Sequence, residues 1–75
     1  MTVEAQKRYS DTIEAAITLA IARCERITIE APDGAEVYAY PRQGGTIAWG
    51  VNAAGTAENI IRGVRRPDGT DEAVS

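Results

Sequence analysis

The chain contains no histidine and only one cysteine, Cys24, among its 75 residues. No internal disulfide can form, and the usual zinc ligand sets cannot be assembled. A reducing setting is the natural expectation. The opening MTVEAQKRYS lacks the basic-then-apolar order of a signal peptide, so the mature chain is expected to start here. The longest apolar run, AAITLAIA, is far too short to span a bilayer. Together these absences predict a cytoplasmic protein without a membrane partner. Basic residues are also in deficit, with 8 Lys and Arg against 11 Asp and Glu and a net charge of −3. General nucleic-acid binding depends on clustered Lys and Arg to displace counterions, and this balance disfavours it.

Catalytic motifs are missing too. Gly50, Gly55 and Thr56 imitate the spacing of a phosphate loop, but the lysine that must reach the phosphates is not there. Ser10 has no histidine to activate it. Glu30 and Glu36 could pair as acid and base, but an exposed sheet without a cleft makes them a mild repulsion beside a turn. Cys24 falls in an apolar stripe and reads as a small core hydrophobe, not a nucleophile. No enzyme, cofactor or metal is expected.

What is present is a clear change of period. Tyr9, Ile13, Ala16, Ile17, Ala20, Ile21 and Cys24 recur at three- and four-residue steps, the stripe of an amphipathic helix over about 3–25. RITIEA, AEVYAY and TIAWGV then alternate with period two between Pro and Gly, predicting strands at about 26–31, 35–41 and 45–51. APDGA suits a three-residue hairpin loop with Gly34 left-handed, which sets Ile29 opposite Val37 and Thr28 opposite Tyr38. PRQGG reads as the same kind of loop, with Gly44 left-handed and Pro41 opposite Gly45. That register places Ala39 beside Ile47 and Val37 beside Trp49.

Thr56 is positioned to cap a second helix running to about Arg65, with Ala57, Ile60, Ile61 and Val64 as its stripe. Pro67 and Gly69 stop it. DGTDEAVS reads as a frayed tail. The expected fold is α+β, a helix, three-stranded antiparallel meander and helix (αβββα), with both helices on one face of the sheet. One domain spans 1–66 and a flexible acidic tail spans 67–75. The predicted core comprises Ile13, Ile17, Ile21, Ile27, Ile29, Val37, Ile47, Trp49, Val51, Ile60, Ile61 and Val64.

On this register Tyr38 and Tyr40 lie on the uncovered face; the competing register would bury both rings and turn Val37 outward. Tyr is enriched among interface anchors. Arg26, Glu30, Glu36 and Arg42 form the charged rim, which makes these six residues the candidate partner-binding site. The expected partner is a larger protein or ribonucleoprotein complex. A single motif-free acidic domain is in character with the products that phages and other mobile elements direct against host defence, anti-CRISPR proteins included. A small non-enzymatic inhibitor or adaptor is the first functional expectation.

The alternative is a self-associating structural protein. Thr12, Ala15, Leu19 and Ala22 form a flank of helix 1 that a second copy could cover as a homodimer. The order helix, hairpin, helix loosely resembles small phage head-to-tail joining proteins, although the third strand TIAWGV departs from that pattern. Arg62, Arg65 and Arg66 cluster late in helix 2, where cations suit the negative helix end. A nucleic-acid role for them would show affinity falling steeply with salt.

Overall fold

The structure is a computed structural model that describes residues 6–74. Among the described residues the α-helix α1 (Ser10–Arg23) precedes five strands: β1 (Ile27–Glu30), β2 (Glu36–Pro41), β3 (Ile47–Asn52), β4 (Asn59–Arg65) and β5 (Asp71–Val74). The strands form one antiparallel sheet in chain order, β1-β2-β3-β4-β5. The α+β class is as expected, but the sheet has five strands instead of three.

Helix α1 packs across β1, β2 and β3. Its apolar stripe is Ile13, Ala16, Ile17 and Ala20, all buried, continued on the N-terminal side by buried Tyr9. Ala16 and Ala20 bring the helix backbone close to the sheet, where Ala39 is likewise fully buried. Ile21 does not join this core and is 58% exposed, because it lies about 90° from the centre of the buried stripe. Cys24 is also exposed, not a core hydrophobe. It ends the helix in the left-handed conformation, φ 53° and ψ 41°, so its side chain leaves the stripe as the chain turns toward β1. Of the helix expected at 3–25, residues 3–5 lie outside the described residues, and residues 6–8 form a helical turn that breaks at Tyr9.

The first hairpin has the expected register, with Ile27 opposite Ala39, Thr28 opposite Tyr38 and Ile29 opposite Val37. Gly34 sits at φ 90° and donates to the Ala31 carbonyl at 2.9 Å. Asp33 locks the turn by accepting from the Ala35 amide at 2.9 Å and from the Tyr9 hydroxyl at 2.6 Å. This contact holds the phenol above its ordinary pKa and the carboxyl below its own.

The second hairpin differs. Pro41 pairs with Ile47, Ala39 with Trp49 and Val37 with Val51. The loop takes in both Gly44 and Gly45, each at φ 78°, and closes through the Arg42 amide on the Thr46 carbonyl at 2.8 Å. The slip from the expected register is therefore two residues, an even number, and each side chain keeps its predicted face.

The segment expected as a second helix is β4. Strand β3 is buried from Ile47 through Val51, so both of its hydrogen-bonding edges need a strand partner. A helix at 56–65 would leave one edge unpaired. The β-branched residues Ile60, Ile61 and Val64 suit a strand, and Gly63 lies under the Trp49 ring. Thr56 closes a turn instead of capping a helix, its hydroxyl accepting from the Glu58 amide at 3.1 Å. Within β4, Ile61 joins the core, Ile60 is 41% exposed and Val64 is partly buried on the opposite face.

Of the tail expected at 67–75, residues 67–74 are not frayed, and Ser75 lies outside the described residues. Pro67, Asp68 and Gly69 repeat the chemistry of Pro32, Asp33 and Gly34, with Gly69 at φ 90° and Asp68 accepting from the Thr70 amide at 3.0 Å. The chain returns as β5, pairing Arg65 with Asp71 and Gly63 with Ala73. Arg65 fastens this added hairpin to the helix. Its guanidinium forks between Asp71, with Nε to Oδ1 at 2.5 Å, and Glu14 on α1, with Nη1 to Oε1 at 2.9 Å. The pairing holds the Glu14 carboxyl below its usual range and raises the guanidinium.

No helix among the described residues is long and apolar enough to cross a membrane.

Candidate functional site

Alternation along the strands sends Ile27, Val37, Ala39, Trp49, Val51 and Ile61 toward α1. The other face is covered by no element among the described residues. Two cross-strand rows define its centre: Tyr38, Gly50 and Arg62 in one, and Tyr40, Ala48 and Val64 in the next. Because β3 offers only Ala48 and Gly50 here, the tyrosines of β2 lie down across it. A methyl group built on Gly50 would come within 2.3 Å of the Tyr38 hydroxyl oxygen, so the glycine is what lets that ring lie flat.

The two rings are stacked, with centroids 6.3 Å apart and planes inclined by 14°. Arg26, from the segment just before β1, sits against both, its Cζ 4.9 Å from the Tyr38 centroid and 5.5 Å from that of Tyr40. Cation–π attraction of about 0.5–1 kcal/mol at an exposed site favours this placement. Both rings are partly buried, so they are positioned by packing yet still reachable.

A groove of ≈ 300 Å³ runs beside them. One wall is Tyr38 and Tyr40, the other Arg62 and Val64; Ala48 floors it and Arg42 stands at its end. Arg42 and Arg62 are exposed, and among the described residues neither they nor Arg26 has an ion-pair partner. The face is basic around the aromatic pair.

Its far end is acidic. Glu30 and Glu36 stand directly opposite each other across β1 and β2. They line a broader depression of ≈ 730 Å³ together with Thr28, Asn52 and the loop that carries Thr56. No group of three or more metal-ligating side chains occurs among the described residues.

Of the six residues expected to bind a partner, Tyr38, Tyr40 and Arg42 line the groove and Arg26 backs the two rings, while Glu30 and Glu36 lie apart at the acidic end. The expected arginine cluster is dispersed. Arg62 enters the groove wall, Arg65 turns to the helix side, and Arg66 pairs with Glu72. Arg62 and Val64 become neighbours of the tyrosines only because β4, which reads as a helix from its three- and four-residue spacing, is a strand. The second Pro-Asp-Gly was the available signal.

The candidate self-association flank is also divided. Leu19 packs against the core and Thr12 is partly buried, leaving only Ala15 and Ala22 exposed. No family model, curated protein or solved structure matches this chain.

Proposed function

We propose that the chain is a non-enzymatic protein-binding module, an inhibitor or adaptor that engages a larger protein or ribonucleoprotein complex through its open sheet face. The observation carrying this reading is the stacked Tyr38–Tyr40 pair, held by Arg26 on a face that no other described element covers. Rigid aromatic side chains beside arginine are the residue types that dominate binding energy at protein interfaces. Their positions are set before any partner arrives, which limits the ordering cost of association. A product of a phage or other mobile element acting on host defence machinery fits this character.

The test is affinity purification from the native host's lysate with wild type and a Tyr38→Ala, Tyr40→Ala variant side by side. Capture of a defined complex by wild type alone is expected, with matching circular dichroism spectra for the two proteins. Equal capture by both would refute the face as the binding surface.

A self-associating role draws on a different observation, the 58% exposure of Ile21 near the end of α1. Sedimentation at rising concentration should then show a dimer that Ile21→Glu disperses. A wild-type protein that stays monomeric removes this second reading.

A further inference from the structure

We infer that the groove over β3 accepts a short acidic segment of a partner protein, with its carboxylates held between Arg42 and Arg62 and its apolar atoms lying against Tyr38 and Tyr40. This inference rests on the protein-binding reading above and names the chemistry of the partner.

Charge complementarity carries it. In a chain of net charge −3, Arg26, Arg42 and Arg62 gather around one aromatic pair without a carboxylate partner among the described residues. The other described arginines on β4 and its following turn are satisfied internally, Arg65 by Glu14 and Asp71 and Arg66 by Glu72. A planar guanidinium receives a carboxylate through two parallel hydrogen bonds, and two such forks bounding a groove select a ligand with spaced acidic groups. The volume, ≈ 300 Å³, is at the lower limit for a small-molecule cleft and suits one or two side chains of an extended segment.

The acidic end of the face argues for a protein over a nucleic acid. Glu36 precedes Tyr38 by two residues and Tyr40 by four on β2, so at 3.3 Å per residue the carboxylates begin about 7 Å from the near row of the groove and about 13 Å from its far row. A single strand running along the face would carry its phosphates onto Glu30 and Glu36. An acidic segment short enough to end at the Tyr38 row, flanked by neutral or basic residues, meets less of that repulsion.

The experiment is a titration of isotope-labelled protein with a short, end-blocked oligoglutamate peptide, followed by amide chemical shifts. Shifts should concentrate at Tyr38, Tyr40, Arg42, Ala48, Arg62 and Val64 and weaken with added salt. An Arg42→Ala, Arg62→Ala variant should bind on the order of tenfold more weakly, since charge-assisted hydrogen bonds are lost. Arg66→Ala, outside the groove, should bind as wild type does. The variant's own spectrum reports that it is folded.

Shifts that are absent, scattered or equal in the double arginine variant would overturn the inference. So would an oligothymidylate of the same length binding these residues more tightly than the peptide, which would assign the groove to single-stranded nucleic acid. The two levels separate in the lysate purification. A Tyr-dependent complex captured equally by the double arginine variant defeats the acidic-segment inference and leaves the protein-binding reading standing. Capture that ignores Tyr38 and Tyr40 defeats the reading itself.

Discussion

Substituting Gly63 by alanine discriminates between the strand observed at 59–65 and the helix that the same residues mimic. In an exposed helix interior, Gly→Ala stabilises by about 1 kcal/mol, because alanine restricts the unfolded chain and favours helical dihedrals. In the sheet the sign reverses. A Cβ at Gly63 would stand 2.5 Å from Cζ2 of Trp49 and 2.9 Å from the carbonyl oxygen of Glu72. Trp49 is 1% exposed and closely packed, and the Glu72 carbonyl belongs to the β4–β5 pairing, so neither can retreat freely. Forcing an extra methyl into such a site costs about 1–3 kcal/mol. For a domain of this size, 2 kcal/mol corresponds to a fall in Tm of about 8–16 °C. Gly50→Ala is the internal control. Its Cβ would meet the hydroxyl oxygen, Cζ and Cε2 of Tyr38, all within 2.8 Å, but these form the outer end of a partly exposed ring that can swing outward. Its cost should stay below about 1 kcal/mol. Urea unfolding of both variants, read by Trp49 fluorescence, gives the comparison. A Gly63→Ala midpoint equal to or above that of wild type would refute the packing argument.

The remaining predictions concern charge and the exposed edge of the helix. Arg65→Met strands Glu14 and Asp71 beside each other without their shared cation and should cost about 1–2 kcal/mol, mostly through the better-shielded Asp71; thermal melts measure it, and an unchanged Tm would show the clamp to be idle. Glu14, Asp33 and Asp68 all have carboxyls held below their ordinary values, so the stability they add is complete above about pH 5 and is lost as pH falls through 4 toward the folded-state values. Urea midpoints at descending pH should show this loss, reduced in Asp33→Asn. Tyr9 has the opposite sign: its raised pKa makes the folded state weaken as pH climbs above 10, and Tyr9→Phe should abolish that alkaline component. Leu19→Glu should destabilise the monomer, since Leu19 packs on the core, whereas Ile21→Glu should leave Tm within about 0.5 kcal/mol equivalent of wild type.

The first half of the fold was legible because its signals are local and agree with one another. Pro32, Asp33 and Gly34 dictate one loop length, and the alternation of Ile27, Ile29, Val37 and Ala39 then admits one register. The face assignment of Tyr38 and Tyr40 survived an error in the second loop because a slip of two residues conserves parity. The second half misled because Ala57, Ile60, Ile61 and Val64 fit a helical stripe, and periodicity alone cannot separate that from a strand containing a bulge. The bulge is present, between Val51 and Asn52 against β4. What decides the matter is non-local: the unpaired edge that β3 would otherwise have, and the space over Gly63 that Trp49 fills. Arg62 and Val64 could be placed beside the tyrosines only once β4 was a strand. Ile21 misled for a simpler reason. Seven apolar positions share its stripe, but a helix crossing three strands covers only the middle of such a width.

Every strand of the sheet is hydrogen-bonded to its neighbour in the chain, and α1 packs across β1, β2 and β3 while meeting β4 through the Arg65–Glu14 pair. The molecule is therefore built as a nested order of openings. The hairpin of β4 and β5 is held by the ladder to β3, by Ile61 and by the Arg65 fork, and has no helix seated on it. It should open as a unit at lower free energy than the layer beneath α1, with amide exchange fastest in β5, intermediate in β4 and slowest in β2 and β3. Short sequence separations between paired strands also place folding toward the fast end for a sheet protein. The basic wall of the groove belongs to the element that leaves first, while the tyrosines belong to the one that leaves last. A ligand bridging the two would slow exchange in β4 and β5 without altering the innermost strands, joining two cooperative units into one.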